Sequence, residues 1–261
     1  MLHIKRDCNL MYWTKNAKVK NLGDYIGEIL LKIANIKVAN IGSPVYFSVG
    51  TVLSKYWWDV AQDRKIIWGS GSCGFDFPNL KTDTVLAVRG PLTRDWLGLP
   101  QDIPLGDPAL LMPRVYAPPK NSIGPILVVN FHNKDLRPPK TNLNIIKAIS
   151  MRVTINNWSD IIDAIVASEF VLANSLHASI LSHAYGRPWA WYDVDDSQRP
   201  LPLRWHDWFA YLDLPKDAWS SVHNLEDGIL WWETYKSSMR INNLDPLIDC
   251  CPWKELRSLL K

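Results

Sequence analysis

From residue 126 to residue 192, short apolar runs alternate with stripes of helical period, and this confines the chain to an α/β fold built on a parallel sheet. Strands are expected over 126–130, 152–155, 170–173 and 189–192, and helices over 143–149, 160–167 and 176–185. Strict alternation with short connections predicts a doubly wound sheet whose ligand lies at the carboxyl edge of the strands. At that edge one histidine stands where a strand hands over to a helix. Asn174 and Ser175 are good N-caps, Leu176, Ile180, Leu181 and Ala184 recur at helical spacing, and Gly186 with Pro188 ends the helix. His177 therefore falls in the first helical turn, where unpaired N–H groups and the helix dipole suit a phosphate or carboxylate. On position alone, such a histidine is more often a surface or core-edge residue than a catalyst, and the rest of the chain has to decide.

The first half reads as a loop-rich α/β unit. Ile26, Ile29, Leu30, Ile33 and Ile36 make a helical stripe over 24–36, entered through the polar Asn21-Leu22-Gly23-Asp24. The runs 65–68 and 84–88 look like buried strands leading into Gly69-Ser70-Gly71-Ser72 and Arg89-Gly90-Pro91, and a short helix is expected over 92–97. The Pro-rich stretch 113–125 suits a linker and marks the expected boundary between domains 1–115 and 116–261. Farther on, 205–212, 225–236 and 253–260 read as a helical tail.

A chain of 261 residues can bury one large or two modest cores. Cys8, Cys73, Cys250 and Cys251 lack metal-ligand spacing and do not resemble a secreted disulfide framework, so a reducing, cytoplasmic setting is expected. Neither a signal segment nor an apolar run of about 18 residues is visible. A net charge of +3 is too small to argue for nucleic acid and is compatible with peripheral contact with a membrane. The 14 tryptophans are the compositional outlier; their rings suit sugar stacking or, more commonly, core packing.

Taken in order, Asn21-Leu22-Gly23-Asp24, Trp68-Gly69-Ser70-Gly71-Ser72, Val88-Arg89-Gly90-Pro91-Leu92-Thr93, Gly106-Asp107-Pro108-Ala109-Leu110-Leu111 and Asn174-Ser175-Leu176-His177-Ala178 resemble the pattern of the polysaccharide pyruvyl transferase family. Arg204-Trp205-His206-Asp207-Trp208 looks like that family's closing motif. The resemblance implies two Rossmann-like domains, similar to GT-B glycosyltransferases, with the active site between them. The implied reaction moves the pyruvyl group of phosphoenolpyruvate onto two hydroxyls of a sugar, as a cyclic ketal, and releases phosphate. No metal or organic cofactor is implied. The implied acceptor is a precursor of exopolysaccharide, capsule or cell-wall glycan, whether lipid-linked, nucleotide-linked or polymeric. The implied setting is the bacterial cytoplasm or the inner face of its membrane. The chain is shorter than many members, which suggests a pared first domain.

That reaction needs a proton for the methylene carbon of phosphoenolpyruvate and a base for the attacking hydroxyls, and His177 is the candidate for both, since histidine titrates near neutral pH. The helix dipole disfavours an imidazolium there, and a bound anion opposes that effect. Arg89 is the expected grip on carboxylate or phosphate, or else the structural partner of an interface carboxylate; Arg187 and Arg204 are further candidates. Some relatives carry an Arg just before the Leu-His pair, where this chain has Ser175, so the anion falls to another cation or to the Ser175 hydroxyl and nearby N–H groups. Asn21, Asp24, Gly69, Ser70, Gly71, Asn174 and Ser175 are expected to line the same cleft. Asp24 would bind an acceptor hydroxyl or cap its helix, and the glycines would admit a ligand or make a tight turn. Asp107 is expected to fix a loop and His183 to be structural. Two alternatives stay open: a GT-B nucleotide-sugar glycosyltransferase, and a non-catalytic carbohydrate-binding protein that stacks sugars on tryptophan.

Overall fold

The computed structural model describes residues 8–12, 18–39, 44–61, 63–80, 84–119, 126–130, 146–154, 156–193, 202–240 and 243–261. The first half contains β1 (Cys8–Met11), β2 (Lys20–Asn21), α1 (Leu22–Ile33), β3 (Val38–Ala39), β4 (Val45–Phe47), α2 (Lys55–Val60), β5 (Lys65–Trp68), β6 (Thr84–Ala87), α3 (Pro91–Trp96), a 3₁₀ turn (Pro108–Leu111) and α4 (Met112–Val115). The second contains β7 (Ile126–Asn130), β8 (Ile146–Ser150), β9 (Arg152–Val153), α5 (Trp158–Val166), β10 (Val171–Ala173), α6 (Leu176–Ala184), β11 (Trp189–Trp191), α7 (Pro202–Tyr211), a 3₁₀ turn (Lys216–Ala218), α8 (Leu225–Tyr235), α9 (Asp245–Asp249) and α10 (Lys254–Leu260).

These strands build a five-stranded sheet of order β3-β1-β4-β5-β6 and a four-stranded sheet of order β11-β10-β7-β8, both parallel throughout. Parallel strands covered on both faces read as continuous apolar runs, and β10 and β11 are buried along their whole length. In each sheet the strand order reverses once, beside β1 in the first and beside β7 in the second. Such a reversal opens a crevice at the carboxyl ends of the flanking strands. The segment Asn174 to His177 leaves β10 at one of these points, and the loop Ser48 to Thr51 leaves β4 at the other.

Several elements depart from the expectation. Residues 146–149, expected in a helix, form β8, which pairs with β7 in unbroken register from Ile126↔Ile146 to Asn130↔Ser150; residues 143–145 lie outside the described residues. A short apolar run fits either structure by period, and here an available strand partner decides. The run 152–155 contributes only β9, which pairs antiparallel with β2 rather than joining the parallel sheet, and residue 155 lies outside the described residues. Pro113 sits in the first turn of α4, where a missing N–H costs nothing, so the start of the expected linker is helical; residues 120–125 lie outside the described residues. Helix α1 begins at Leu22, capped by Asn21, whose Oδ1 accepts from the Asp24 N–H at 3.4 Å. Asp24 is therefore the third helical residue and not the cap.

One apolar cluster runs through both sheets, from Leu10, Trp68 and Ala87 to Leu172, Trp189 and Trp208. The tryptophan surplus belongs largely to it. Trp191 stacks on Trp205 at 5.0 Å and Trp189 packs on Phe209 and Trp231, so these rings fasten β11 to α7 and α8. A second cluster, with Phe47, Val52, Leu53, Trp58 and Ile67, covers the other face of the first sheet. Helices α9 and α10 turn back to that first sheet. Trp68 Nε1 donates to the Leu247 carbonyl at 2.8 Å, and the Trp253 ring stands 4.7 Å from Tyr46. Among the described residues no helix is long and apolar enough to cross a membrane.

Candidate active site

Three helix starts bring the chemistry together. Asn21 caps α1, Ser175 occupies the N-cap of α6 without a side-chain capping bond, and Asp107 caps the 3₁₀ turn through Oδ1, which accepts from the Ala109 N–H at 2.9 Å. Leu105 bridges to Val88 beyond β6, which delivers Asp107 to the carboxyl edge of the first sheet. That cap fixes the Gly106 to Ala109 loop, as its sequence suggests. The other carboxylate oxygen points elsewhere, with Asp107 Oδ2 facing His177 Nε2 at 3.4 Å. Both atoms are buried, and neither has a hydrogen-bond partner among the described residues. Sequence alone assigns Asp107 only to fixing its loop; the contact with His177 joins motifs far apart in the chain and carries no local signal.

The side chain of His177 packs against α1 at Gly23. A β-carbon at residue 23 would stand 2.1 Å from Nδ1 and 2.4 Å from Cγ, well inside contact distance, so this helical position has to be glycine. Next to it Asp24 is buried, with Oδ1 against Gly50. Burial holds the Asp24 carboxyl above its ordinary range; the positive charges of His177 and Arg204 oppose the shift and the charge of Asp107 adds to it. His177, Arg204 and Asp107 thus all lie within electrostatic reach of Asp24.

Arg89 is fully buried, and the structure shows the pairing alternative. Its Nε donates to Asp207 Oδ2 at 3.1 Å, Nη1 to Thr51 Oγ1 at 2.9 Å and Nη2 to the Ser72 carbonyl at 3.1 Å. The guanidinium packs on Gly71, where a β-carbon would lie 2.1 Å from Cζ. Asp207 also accepts from the Thr93 N–H at 2.9 Å and the Thr93 hydroxyl at 2.7 Å, so one carboxylate both neutralises Arg89 and caps α3. The motifs around Arg89 and Asp207 are two halves of one joint.

Other candidates are placed as follows. Ser70 is buried and donates to the Ser48 carbonyl at 2.8 Å, while Gly69 abuts Pro108, so this turn is packed by protein. Asn174 donates through Nδ2 to the Tyr192 carbonyl at 2.9 Å, which leaves a buried Oδ1 without a partner among the described residues, beside Ser175 at the carboxyl end of β10. Arg204 starts α7, within the field of Asp24. Arg187 is not brought to this edge: it follows the far end of α6 and precedes the amino end of β11. Burial pushes His183 down to about 4, and its ring stands edge-on to Trp208, a structural position. Among the described residues no three His, Cys, Asp or Glu side chains are grouped to hold a metal ion.

No curated protein and no solved structure matches the chain. The family model for polysaccharide pyruvyl transferase matches residues 21–196. The matched span opens on the cap of α1 and takes in Gly23, Asp24, Gly71, Arg89, Asp107 and His177, every one of which touches or faces a residue distant in sequence. It covers well over half of the 261 residues. The chain belongs to the polysaccharide pyruvyl transferase family and is a transferase.

Proposed function

We propose that this enzyme moves the pyruvyl group of phosphoenolpyruvate onto two hydroxyls of one sugar, closing a cyclic ketal and releasing phosphate, during synthesis of an exopolysaccharide, capsule or cell-wall glycan. The observation that carries the reading is the seating of His177: at a helix start, against Gly23, with Nε2 turned to the buried carboxylate of Asp107.

In this reading Nδ1 of His177 is the nitrogen left for substrate. As an imidazolium it gives its proton to C3 of phosphoenolpyruvate, and C2 becomes a cationic centre that one hydroxyl attacks. That hydroxyl's proton returns to His177. Loss of phosphate regenerates the cation, the second hydroxyl closes the ring, and its proton leaves with the phosphate. Asp107 holds the ring in place and faces the charge that His177 carries in the first step. Asp24 suits an acceptor hydroxyl, and Arg204 with the N-terminal end of α6 suits the anionic donor. Ser175, whose hydroxyl makes no capping bond, stands where some relatives have a cation. Arg89 and Asp207 position the walls rather than touch the donor. The reading uses no metal or organic cofactor, puts the site in a GT-B-like cleft between the sheets, and sets the enzyme in the cytoplasm or at the inner membrane face.

The test is thermal denaturation with phosphoenolpyruvate or UDP, on wild type and His177→Ala. Saturable stabilisation of both proteins by phosphoenolpyruvate, with turnover lost only in the variant, is the expected result. Stabilisation by UDP alone would replace the reading with glycosyl transfer, and response to neither would favour a carbohydrate-binding protein.

A further inference from the structure

A sugar that reacts at His177 has to leave the rest of its chain on the surface beside the site. We infer that this chain lies on an aromatic rim made by Tyr56, Phe75 and Phe77, a subsite for the acceptor glycan; the inference rests on the pyruvyl-transfer reading. Tyr56 is 63% exposed, Phe75 49% and Phe77 40%, in a molecule that buries most of its other large rings. Helix α2 turns Trp58 inward onto Phe47 and leaves Tyr56 outside, edge-on to Trp57. Gly74 (φ 85°) and Asp76 (φ 54°) are both left-handed, and the turn they make exposes the two phenylalanines. The Asp76 carbonyl accepts from the Lys55 N–H at 2.7 Å, which ties this turn to the start of α2.

Backbone hydrogen bonds tie the segments that carry the rim to the site. Gly71 accepts from the Leu53 N–H at 3.1 Å and donates to the Gly50 carbonyl at 2.9 Å, and Gly50 presses on Asp24. On the other side Gly74 packs against Leu203, the neighbour of Arg204, and Phe77 lies 6.4 Å from Trp96. The chemistry selects the occupant. The described charges on α2 and the turn are Lys55, paired with Asp59, and Asp76, so there is no cationic surplus for an anionic bilayer. Exposed ring faces need none to stack on the C–H faces of sugars.

The test is retention on an array of purified bacterial exopolysaccharides, capsules and cell-wall glycans, with vesicles of phosphatidylethanolamine and phosphatidylglycerol alongside. Wild type and Phe75→Tyr/Phe77→Tyr should be held by at least one glycan. Phe75→Leu/Phe77→Leu, equally apolar but without rings, should be held about tenfold more weakly. Retention of no glycan by wild type, or equal retention of the leucine variant, would overturn the subsite. So would vesicle binding that survives in the leucine variant and exceeds glycan binding. Stabilisation by phosphoenolpyruvate, read on the same proteins, should be unchanged throughout. Its absence from wild type with ring-dependent glycan binding would remove the pyruvyl reading and keep the rim; its presence with ring-independent binding would remove the rim alone.

Discussion

The ring of His177 occupies the space that a side chain on Gly23 would need, 2.1 Å separating Nδ1 from a β-carbon at that residue. Gly23→Ala should thus push on the very nitrogen that meets the substrate in the pyruvyl-transfer reading. Alanine suits a helix, so the cost is overpacking, roughly 1–3 kcal/mol. Turnover should fall about 10²-fold because the imidazole is displaced by around an ångström. Steady-state kinetics beside a melting curve checks this, and a folded variant with wild-type turnover would show that the seat is not used.

Asp107→Asn separates two roles of one side chain. The amide oxygen can still accept from Ala109 and hold the loop, while the charge facing His177 is gone. We expect a loss in kcat of about 10² with little change in KM for phosphoenolpyruvate. A raised KM with unaltered kcat would assign Asp107 to donor binding instead.

Asp24→Asn should stabilise the protein at neutral pH while reducing activity. Burial raises the carboxyl of Asp24 in the folded state, so the folded chain binds the proton more tightly than the unfolded chain. Its contribution to stability is complete below about pH 4 and is lost as pH rises through the elevated folded value. Denaturant unfolding from pH 4 to 8 should therefore show the variant gaining on wild type as pH rises. A constant offset would mean that the carboxylate is fully compensated.

Arg89→Met and Asp207→Leu should each destabilise by about 3–5 kcal/mol, since each leaves a buried charge without its partner. The double variant should lose less than the sum of the two. A double-mutant cycle by chemical denaturation measures this, and additivity would contradict the joint.

His183→Phe should leave turnover intact and blunt acid unfolding. Burial pushes this imidazole from 6.5 down to about 4, so its contribution is present above pH 6.5 and lost as pH falls through about 4, a total on the order of 3 kcal/mol. The midpoint of acid unfolding checks the sign.

The place of His177 was legible because its signals are local: two capping residues, an apolar period, and a glycine and proline to end the helix. Its partners were not. Gly23 and Asp107 meet it only after three helix starts converge, and no period or spacing reports that. Arg187 misled in the opposite way. It is near His177 in sequence, but α6 carries it to the other edge of the sheet. Within the helix expected over 143–149, residues 146–149 are a strand because a brief apolar run has no period of its own, and β7 was there to pair with it. Among the described residues the tryptophans are mostly internal, and the exposed rings are those of Tyr56, Phe75 and Phe77, which composition did not single out.

The first sheet relies for cover on residues encoded far downstream: the Leu247 carbonyl takes the proton of the Trp68 indole, and the Trp253 ring closes over Tyr46. On the ribosome that sheet emerges long before α9 and α10 and keeps an aromatic face bare until they arrive. A nascent chain halted in α8 would present this face to chaperones and to its neighbours, so premature termination in this protein should produce aggregation rather than a usable first half.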